Sequence, residues 1–205
     1  ERIVERAAQN RADDGFALRI FDAGCGAGHL TKKVAALSTE KRRVEVIAVD
    51  LSPKTIEYCN RNKPANVKYE CGDISEYPHP SRIGEGVTFD VVVFHACLQH
   101  VFSPLKVLQA ASRLLRGGGA VIIAQAQGRR HADELRVKDP VLQPRSLPST
   151  PEDLEELIPE GCPLELASFK DEITYSVELK CTKKFEEAIG FKDMMKDEDP
   201  LGSFL

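Results

Sequence analysis

Residues 19–31 read RIFDAGCGAGHLT, and this stretch decides the fold. An apolar run typical of a buried strand ends at Asp22, and a helical pattern begins at His29. Between them, glycines stand at every second position from Gly24 to Gly28. Glycine adopts backbone angles that side chains disfavour and lets a ligand approach the main chain closely. The stretch therefore predicts a strand, a tight loop and a helix N-terminus, which together form a nucleotide-type pocket.

The spacing of the glycines distinguishes between nucleotides. A dinucleotide fingerprint, G-x-G-x-x-G, would require a third glycine where His29 stands. The observed D-x-G-x-G-x-G, from Asp22 to Gly28, resembles the first motif of class I S-adenosylmethionine (SAM) dependent methyltransferases. The resemblance implies that SAM is the cofactor and that Asp22 suits its amino group. An NAD(P) oxidoreductase remains a distant alternative.

Two more acids follow apolar stretches typical of buried strands. Residues 44–50 (VEVIAVD) end in Asp50, which is well placed to accept both hydroxyls of a ribose, and Leu51 can cover one face of an adenine. The string VIAVDLSP resembles the second methyltransferase motif. After the strand predicted at 67–71, Gly72-Asp73-Ile74 resembles the motif in which the Asp accepts a hydrogen bond from the adenine amino group and the next residue forms an apolar wall.

The next part of the chain resembles two further family segments. FDVVVFHACLQHV (89–101) is similar to the fourth motif of small-molecule methyltransferases, where a Leu-x-His step follows a strand, here 90–94. Gln99 occupies a place often taken by His, and His100 comes next. LLRGGGAVII (114–123) resembles the fifth segment. Its three glycines are predicted to end a helix over 103–115 and turn the chain into a strand over 120–125. Arg116 stands where Pro is usual, which we expect to change only a turn.

The stretch after the fourth strand excludes several chemistries. It lacks the Asn/Asp-Pro-Pro-aromatic step of amide and base amino methylation, the Asp that holds magnesium in catechol-type enzymes, and a Pro-Cys nucleophile, since Ala96 precedes Cys97. We interpret Cys97 as a small buried hydrophobe. A hydroxyl or thiol acceptor would need a proton acceptor, and His95 and His100 are the candidates because histidine titrates near neutrality.

The order of predicted elements defines the fold class. Strand–helix repeats followed by an antiparallel pair at 164–170 and 173–182 match an α/β, Rossmann-like, doubly wound seven-stranded sheet. The sheet is expected to be mostly parallel, in the order 3-2-1-4-5-7-6, with the last strand antiparallel. We predict one domain over 1–185 and a charged tail over 186–205. A helix predicted over 1–12 either packs at the sheet edge or covers the cofactor.

The segment of residues 126–150 is longer than a routine connection between a strand and a helix. One hypothesis is a substrate lid in which Arg129, Arg130 or His131 contacts an anionic or polar substrate. The alternative is a solvated helix whose charged side chains pair with one another, namely Asp133, Glu134, Arg136 and Lys138.

Composition sets the broad limits. The chain has 205 residues, 42% hydrophobic and 29% charged, which is typical of a soluble globular protein. Its formal net charge of −4 argues mildly against a nucleic-acid partner. No apolar run reaches the length of a membrane span. The six cysteines have neither a C-x-x-C pair nor zinc spacing, so we expect free thiols, no metal site and a reducing compartment, either the cytoplasm or an organelle reached through a removed targeting segment.

Together these features predict a SAM-dependent methyltransferase that acts on a small or medium-sized molecule, with the acceptor atom and the oligomeric state open. A SAM-binding regulatory or non-catalytic protein is the alternative. The resemblance implies the following cofactor-binding residues: Asp22, Ala23, Gly24, Cys25, Gly26, Gly28, Asp50, Leu51, Asp73, Ile74, Phe94 and His95.

Overall fold

The computed structural model describes residues 5–6, 16–77 and 88–183. Its framework is a seven-stranded sheet in the order β3-β2-β1-β4-β5-β7-β6. The strands are β1 (Leu18–Ala23), β2 (Val44–Asp50), β3 (Val67–Cys71), β4 (Phe89–His95), β5 (Leu115–Gln125), β6 (Leu164–Asp171) and β7 (Tyr175–Cys181). β7 runs antiparallel to β5 and β6, whereas the pairs among β1 to β5 are parallel. The predicted fold class and strand order are confirmed.

Helices connect the strands, and most begin where the sequence supplies a cap. They are α1 (His29–Ala35), α2 (Pro53–Asn60), α3 (Pro104–Leu114), α4 (Gly128–Lys138) and α5 (Pro151–Glu155), with single 3₁₀ turns at Ile74–Glu76 and Leu98–His100. The side chains of Ser52, Ser103 and Thr150 accept hydrogen bonds from backbone N–H groups in the first turns of α2, α3 and α5. Each of these caps is followed by a proline, whose missing N–H costs nothing at a helix start.

Side chains alternate between the two faces of the sheet, and both faces are buried. Phe21 and Phe94 belong to the core on the α3 and α5 face. Ile20 and Val93 belong to the core on the α1 and α2 face. Strands buried on both faces are typical of a doubly wound sheet.

The glycines of residues 117–119 lie inside a strand, so the predicted helix-ending turn is wrong. Helix α3 ends at Leu114, and β5 already begins at the next residue. The pairing of β4 with β5 shifts register after Phe89, where the glycines form an irregular step. This step carries Arg116 into a buried ion pair with Asp90, whose other carboxylate oxygen accepts from the Arg19 N–H at 2.7 Å. Arg116 therefore does more than alter a turn.

Two predictions lie wholly or largely outside the described residues. They are the N-terminal helix over 1–12, of which only residues 5–6 are described and are helical, and the charged tail over 186–205. All six cysteines are thiols, and none forms a disulfide. Within the described ranges, no helix has both the length and the apolar character needed to cross a bilayer.

Candidate functional site

A cavity of about 560 Å³ opens at the carboxyl ends of β1 to β4. In an open α/β sheet this edge is where ligands bind, because the loops that follow adjacent strands converge there. The predicted site residues that line it are Gly24, Gly26, Asp50, Leu51, Asp73, Ile74 and His100.

The three glycines of the loop have different surroundings, although all have positive φ angles. A Cβ on Gly24 (φ +72°) would lie 2.2 Å from the Cys97 Sγ, and one on Gly28 (φ +73°) would lie 2.6 Å from the Tyr69 Oη. These two positions are therefore filled by neighbouring side chains. A Cβ on Gly26 (φ +51°) would meet no atom within 4 Å. Gly26 thus leaves open space beside the cavity, into which a ligand can approach the main chain.

Asp50 links the glycine loop to helix α2. Its Oδ2 accepts from the Gly26 N–H at 2.9 Å, and its Oδ1 accepts from the Ser52 N–H at 3.0 Å. A carboxylate oxygen has two acceptor sites, so each oxygen retains one for a ligand hydroxyl.

Asp73 stands at the end of β3, on the same side of the cavity. Its Oδ1 accepts from both the backbone N–H and the hydroxyl of Ser75, each at 2.8 Å. Among the described residues, none donates a hydrogen bond to its Oδ2 in the structure, which leaves that oxygen to a ligand.

Asp22 does not line the cavity, contrary to the expectation that it faces the ligand. It lies within β1 rather than after it, so strand alternation turns its side chain toward α1, where the Thr31 hydroxyl donates to its Oδ2 at 2.6 Å. Burial raises the pKa of Asp22 to about 6, the Thr31 hydrogen bond opposes this shift, and the charge of Asp50 adds to it. Asp22 therefore supports the loop from beneath.

Other predicted site residues also lie away from the cavity. Ala23 and Phe94 are fully buried in the core, and Cys25 and Gly28 face the packing beneath the loop. His95 faces the α1 and α2 side of the sheet, where it lines a second cavity of about 500 Å³. Burial lowers the pKa of His95, which favours the neutral imidazole.

His100 does line the cavity of about 560 Å³, which we call the cofactor-side cavity. It lies in the turn that follows β4. Its Nδ1 lies 2.7 Å from the carbonyl oxygen of Leu142. Nearby, burial and then the charges of Asp22 and Asp50 raise the pKa of the Cys97 thiol to about 12. Cys97 is therefore a neutral packing residue, as interpreted from the sequence.

Sequence reasoning missed a wall of the cavity that comes from the start of α3. Phe102, Ser103 and Lys106 line it, beyond the point at which the recognised motif stops. Phe102 is 77% exposed and Leu51 is 71% exposed, so the cavity has large apolar side chains that are open to solvent. The signal that could have found this wall is the aromatic residue directly before the capping Ser103.

The arginines proposed as substrate contacts are engaged elsewhere. Arg129 donates to Asp171 at 2.6 Å and to Asp133 at 3.1 Å, and Arg130 pairs with Glu134 at 3.3 Å. Neither these arginines nor His131 lines the cofactor-side cavity. The helix is therefore charge-paired, as the alternative expected, but the partners of its acids are arginines one turn earlier. Within the described residues, no group of three or more His, Cys, Asp or Glu side chains could hold a metal ion.

The chain is similar to known proteins over most of its length. A family model described as a methyltransferase domain matches residues 3–181. The ubiquinone biosynthesis O-methyltransferase of Methylocella silvestris is 33% identical over 110 residues, which cover 52% of this chain and 39% of that protein. This chain thus spans less than half the length of that relative.

Two solved structures share the fold. A chain from the complex between the Haloferax volcanii Trm112 methyltransferase activator and a methyltransferase superposes with a TM-score of 0.65 at 12% identity, covering 89% of each chain. The plantazolicin methyltransferase BpumL, solved with S-adenosylhomocysteine (SAH), gives a TM-score of 0.61 at 14% identity, covering 81% of this chain and 76% of that one. The family match and the shared strand order together show that this chain belongs to the class I SAM-dependent methyltransferases, whose cofactor is SAM.

Proposed function

We propose that this protein transfers the methyl group of SAM to a hydroxyl of a small or medium-sized molecule. The observation that carries the proposal is the single cavity that joins the glycine loop, two acids and His100. Residues 126–150 are proposed to cover the acceptor, and residues 1–185 to form one domain.

The residues of the cavity fit SAM. The absent Cβ of Gly26 leaves room beside the main chain. Asp50 retains acceptor sites for the two ribose hydroxyls, and Asp73 keeps Oδ2 for the adenine amino group. The exposed apolar side chains of Leu51 and Phe102 can flank the adenine, since aromatic and aliphatic surfaces are removed from water by such packing.

Catalysis then depends mostly on alignment. SAM supplies a methyl group that is already activated for displacement. The chain holds the donor and the acceptor in line and excludes water, which lowers the barrier because the entropy of bringing the reactants together is lost on binding, before the methyl transfer. His100 accepts the proton of the acceptor hydroxyl, for which an imidazole is suited near neutral pH.

The proposed acceptor class is supported by a relative and by the site. The Methylocella relative is a ubiquinone biosynthesis O-methyltransferase. An imidazole that lines the cavity favours a hydroxyl, because an amine free base needs no proton acceptor before attack.

The test is an assay with methyl-labelled SAM against a panel of phenols, alcohols and carboxylic acids, with SAH formation measured independently. We expect label in a small molecule and matching SAH. The control is His100→Asn, which should bind SAH normally and transfer methyl more slowly. Binding of SAH without turnover on any acceptor would favour the non-catalytic alternative.

A further inference from the structure

The turn after β4 is fastened to the segment that follows α4, residues 139–149. The Arg145 guanidinium donates to the Phe102 carbonyl through Nε at 3.2 Å and Nη2 at 2.9 Å, and the Arg145 N–H donates to the Gln99 carbonyl at 3.4 Å. The third connection is the contact at 2.7 Å between the His100 Nδ1 and the Leu142 carbonyl. We call the two-nitrogen contact of the Arg145 side chain with the Phe102 carbonyl the Arg145 clasp, since the N–H contact with Gln99 belongs to the backbone.

The contact with Leu142 determines which ring nitrogen of His100 carries the proton. A backbone carbonyl oxygen only accepts hydrogen bonds, so Nδ1 must be the donor. In the neutral ring, Nε2 then has a free lone pair. No described residue donates a hydrogen bond to this nitrogen in the structure, and the ring lines the cofactor-side cavity. Nε2 is thus the atom available to take a proton from an acceptor.

The position of the Leu142 carbonyl depends on few contacts. Leu142 is exposed and lies outside any helix or strand, and its N–H is satisfied locally by the Asp139 carboxylate at 3.0 Å. The Gln143 N–H, which belongs to the same peptide group as the Leu142 carbonyl, donates to the Asp139 carbonyl at 3.1 Å. Both bonds lie within residues 139–143, so they shape this turn without joining it to the turn after β4. The neighbouring amides of Gln99 and Gln143 are buried, yet neither Oε1 has a hydrogen-bond partner among the described residues. The side chain that ties this segment across to the turn after β4 is Arg145.

We propose that Arg145 is a positioning residue that sets the tautomer of His100 by holding the Leu142 carbonyl against its Nδ1. In the neutral ring, this arrangement leaves the Nε2 lone pair free to act as the base. The proposal rests on the proposed function only in assigning to Nε2 the role of base toward the acceptor hydroxyl. The clasp and the tautomer can be tested without an acceptor.

The experiment is nitrogen NMR of the histidine side chains in the full chain labelled with ¹⁵N-histidine, at about pH 8.5, where histidine side chains are largely neutral. His100→Gln identifies the signals of His100. In the wild type we expect protonated Nδ1 and unprotonated Nε2. In Arg145→Ala we expect the His100 signals to move toward the opposite tautomer, with the other histidines unchanged.

Two further variants keep the test sharp. Arg130→Ala removes an arginine whose side chain is 94% exposed and pairs on its own helix, and it should leave His100 unchanged. Arg145→Lys keeps the charge but loses the two-nitrogen contact with Phe102, and it should shift the tautomer part of the way even if Arg145→Ala does not fold.

A wild-type ring protonated at Nε2 would overturn the proposal. An unchanged His100 tautomer in both Arg145 variants would also overturn it, as would an unchanged tautomer in Arg145→Lys if that is the only variant that folds. Calorimetry with SAH separates this result from the proposed function. If SAH does not bind, the proposed function fails, while the tautomer measurement still decides the role of Arg145.

Discussion

The two sides of the cofactor-side cavity are held by different kinds of contact. On the side of β1 to β3, a strand-end carboxylate fixes the backbone directly, because Asp50 accepts hydrogen bonds from the N–H groups of Gly26 in the glycine loop and Ser52 at the start of α2. On the side of the turn after β4, the contacts join segments more than 40 residues apart, as between His100 and Leu142 or between Phe102 and Arg145.

This difference explains why the glycine-loop side of the cavity could be predicted from the sequence and the side of the turn after β4 could not. A loop that demands positive φ angles and close approach leaves glycines at fixed spacing, and an acid that ends a strand is visible in the sequence. A side chain that reaches a distant carbonyl leaves no local pattern. The glycine-loop side should therefore tolerate substitution poorly, whereas the side of the turn after β4 should respond mildly.

The largest effect is expected at Gly24. An alanine there must adopt φ near +72° and place its Cβ 2.2 Å from the Cys97 Sγ. We expect a loss of roughly 2–5 kcal/mol in unfolding free energy, from the left-handed backbone and the overpacking together, measured by chemical denaturation.

Gly26→Ala is the matched control for Gly24→Ala. Its φ is also positive, but its Cβ meets no protein atom within 4 Å. We expect a loss of only about 1–2 kcal/mol in stability, with SAH binding strongly weakened because the Cβ projects beside the cavity. Equal destabilisation by the two variants would contradict the packing argument.

The second effect concerns the dependence of stability on pH at Asp22. Its folded-state pKa of about 6 lies above the ordinary 3.8, so the folded state favours the protonated carboxyl. The protonated Asp22 carboxyl therefore contributes on the order of 3 kcal/mol to the unfolding free energy. This contribution is fully present below pH 3.8 and is lost as the pH rises to about 6.

Asp22→Asn removes this titration and keeps an oxygen for the Thr31 hydroxyl. The unfolding free energy of the variant minus that of the wild type should therefore increase between pH 4 and pH 6 and level off above. A difference that stays constant over this range would show that Asp22 ionises normally.

A smaller effect is expected at Asp50. Asp50→Asn keeps one oxygen acceptor but loses the charge that strengthens hydrogen bonds with the loop N–H and the ribose, which should weaken SAH binding by about 2 kcal/mol, or roughly 30-fold. Asp73→Asn should cost less, because its Oδ1 is already occupied by Ser75. Calorimetric affinities in the reverse order would contradict these assignments.

The smallest effects are expected on α4. Arg129→Ala loses the contact with Asp171 and should reduce stability by about 1 kcal/mol, while the exposed Arg130→Ala should change almost nothing. For an identified acceptor, KM should be unaltered in both. A raised KM in either variant would restore the hypothesis that these arginines contact the substrate.

The sequence, with the family resemblance it carries, was sufficient for the sheet order and for the placement of Asp50 and Asp73 at the cavity. It misplaced Asp22 because one residue of strand length reverses the face to which a side chain points. It misjudged Arg116 because the buried partner, Asp90, lies on a different strand. His95 and His100 looked equivalent in the sequence. Only the structure shows that His95 faces the α1 and α2 side of the sheet and that His100 lines the cofactor-side cavity.

The central claim is that the cavity between the glycine loop and the turn after β4 holds the cofactor. Titration of SAH into the wild-type protein and into Gly26→Ala in one calorimetric series tests it most directly. We predict one SAH bound per wild-type chain, displaced by SAM, and little or no heat from the folded variant. No heat from the wild type, or the same affinity in Gly26→Ala, would contradict the claim.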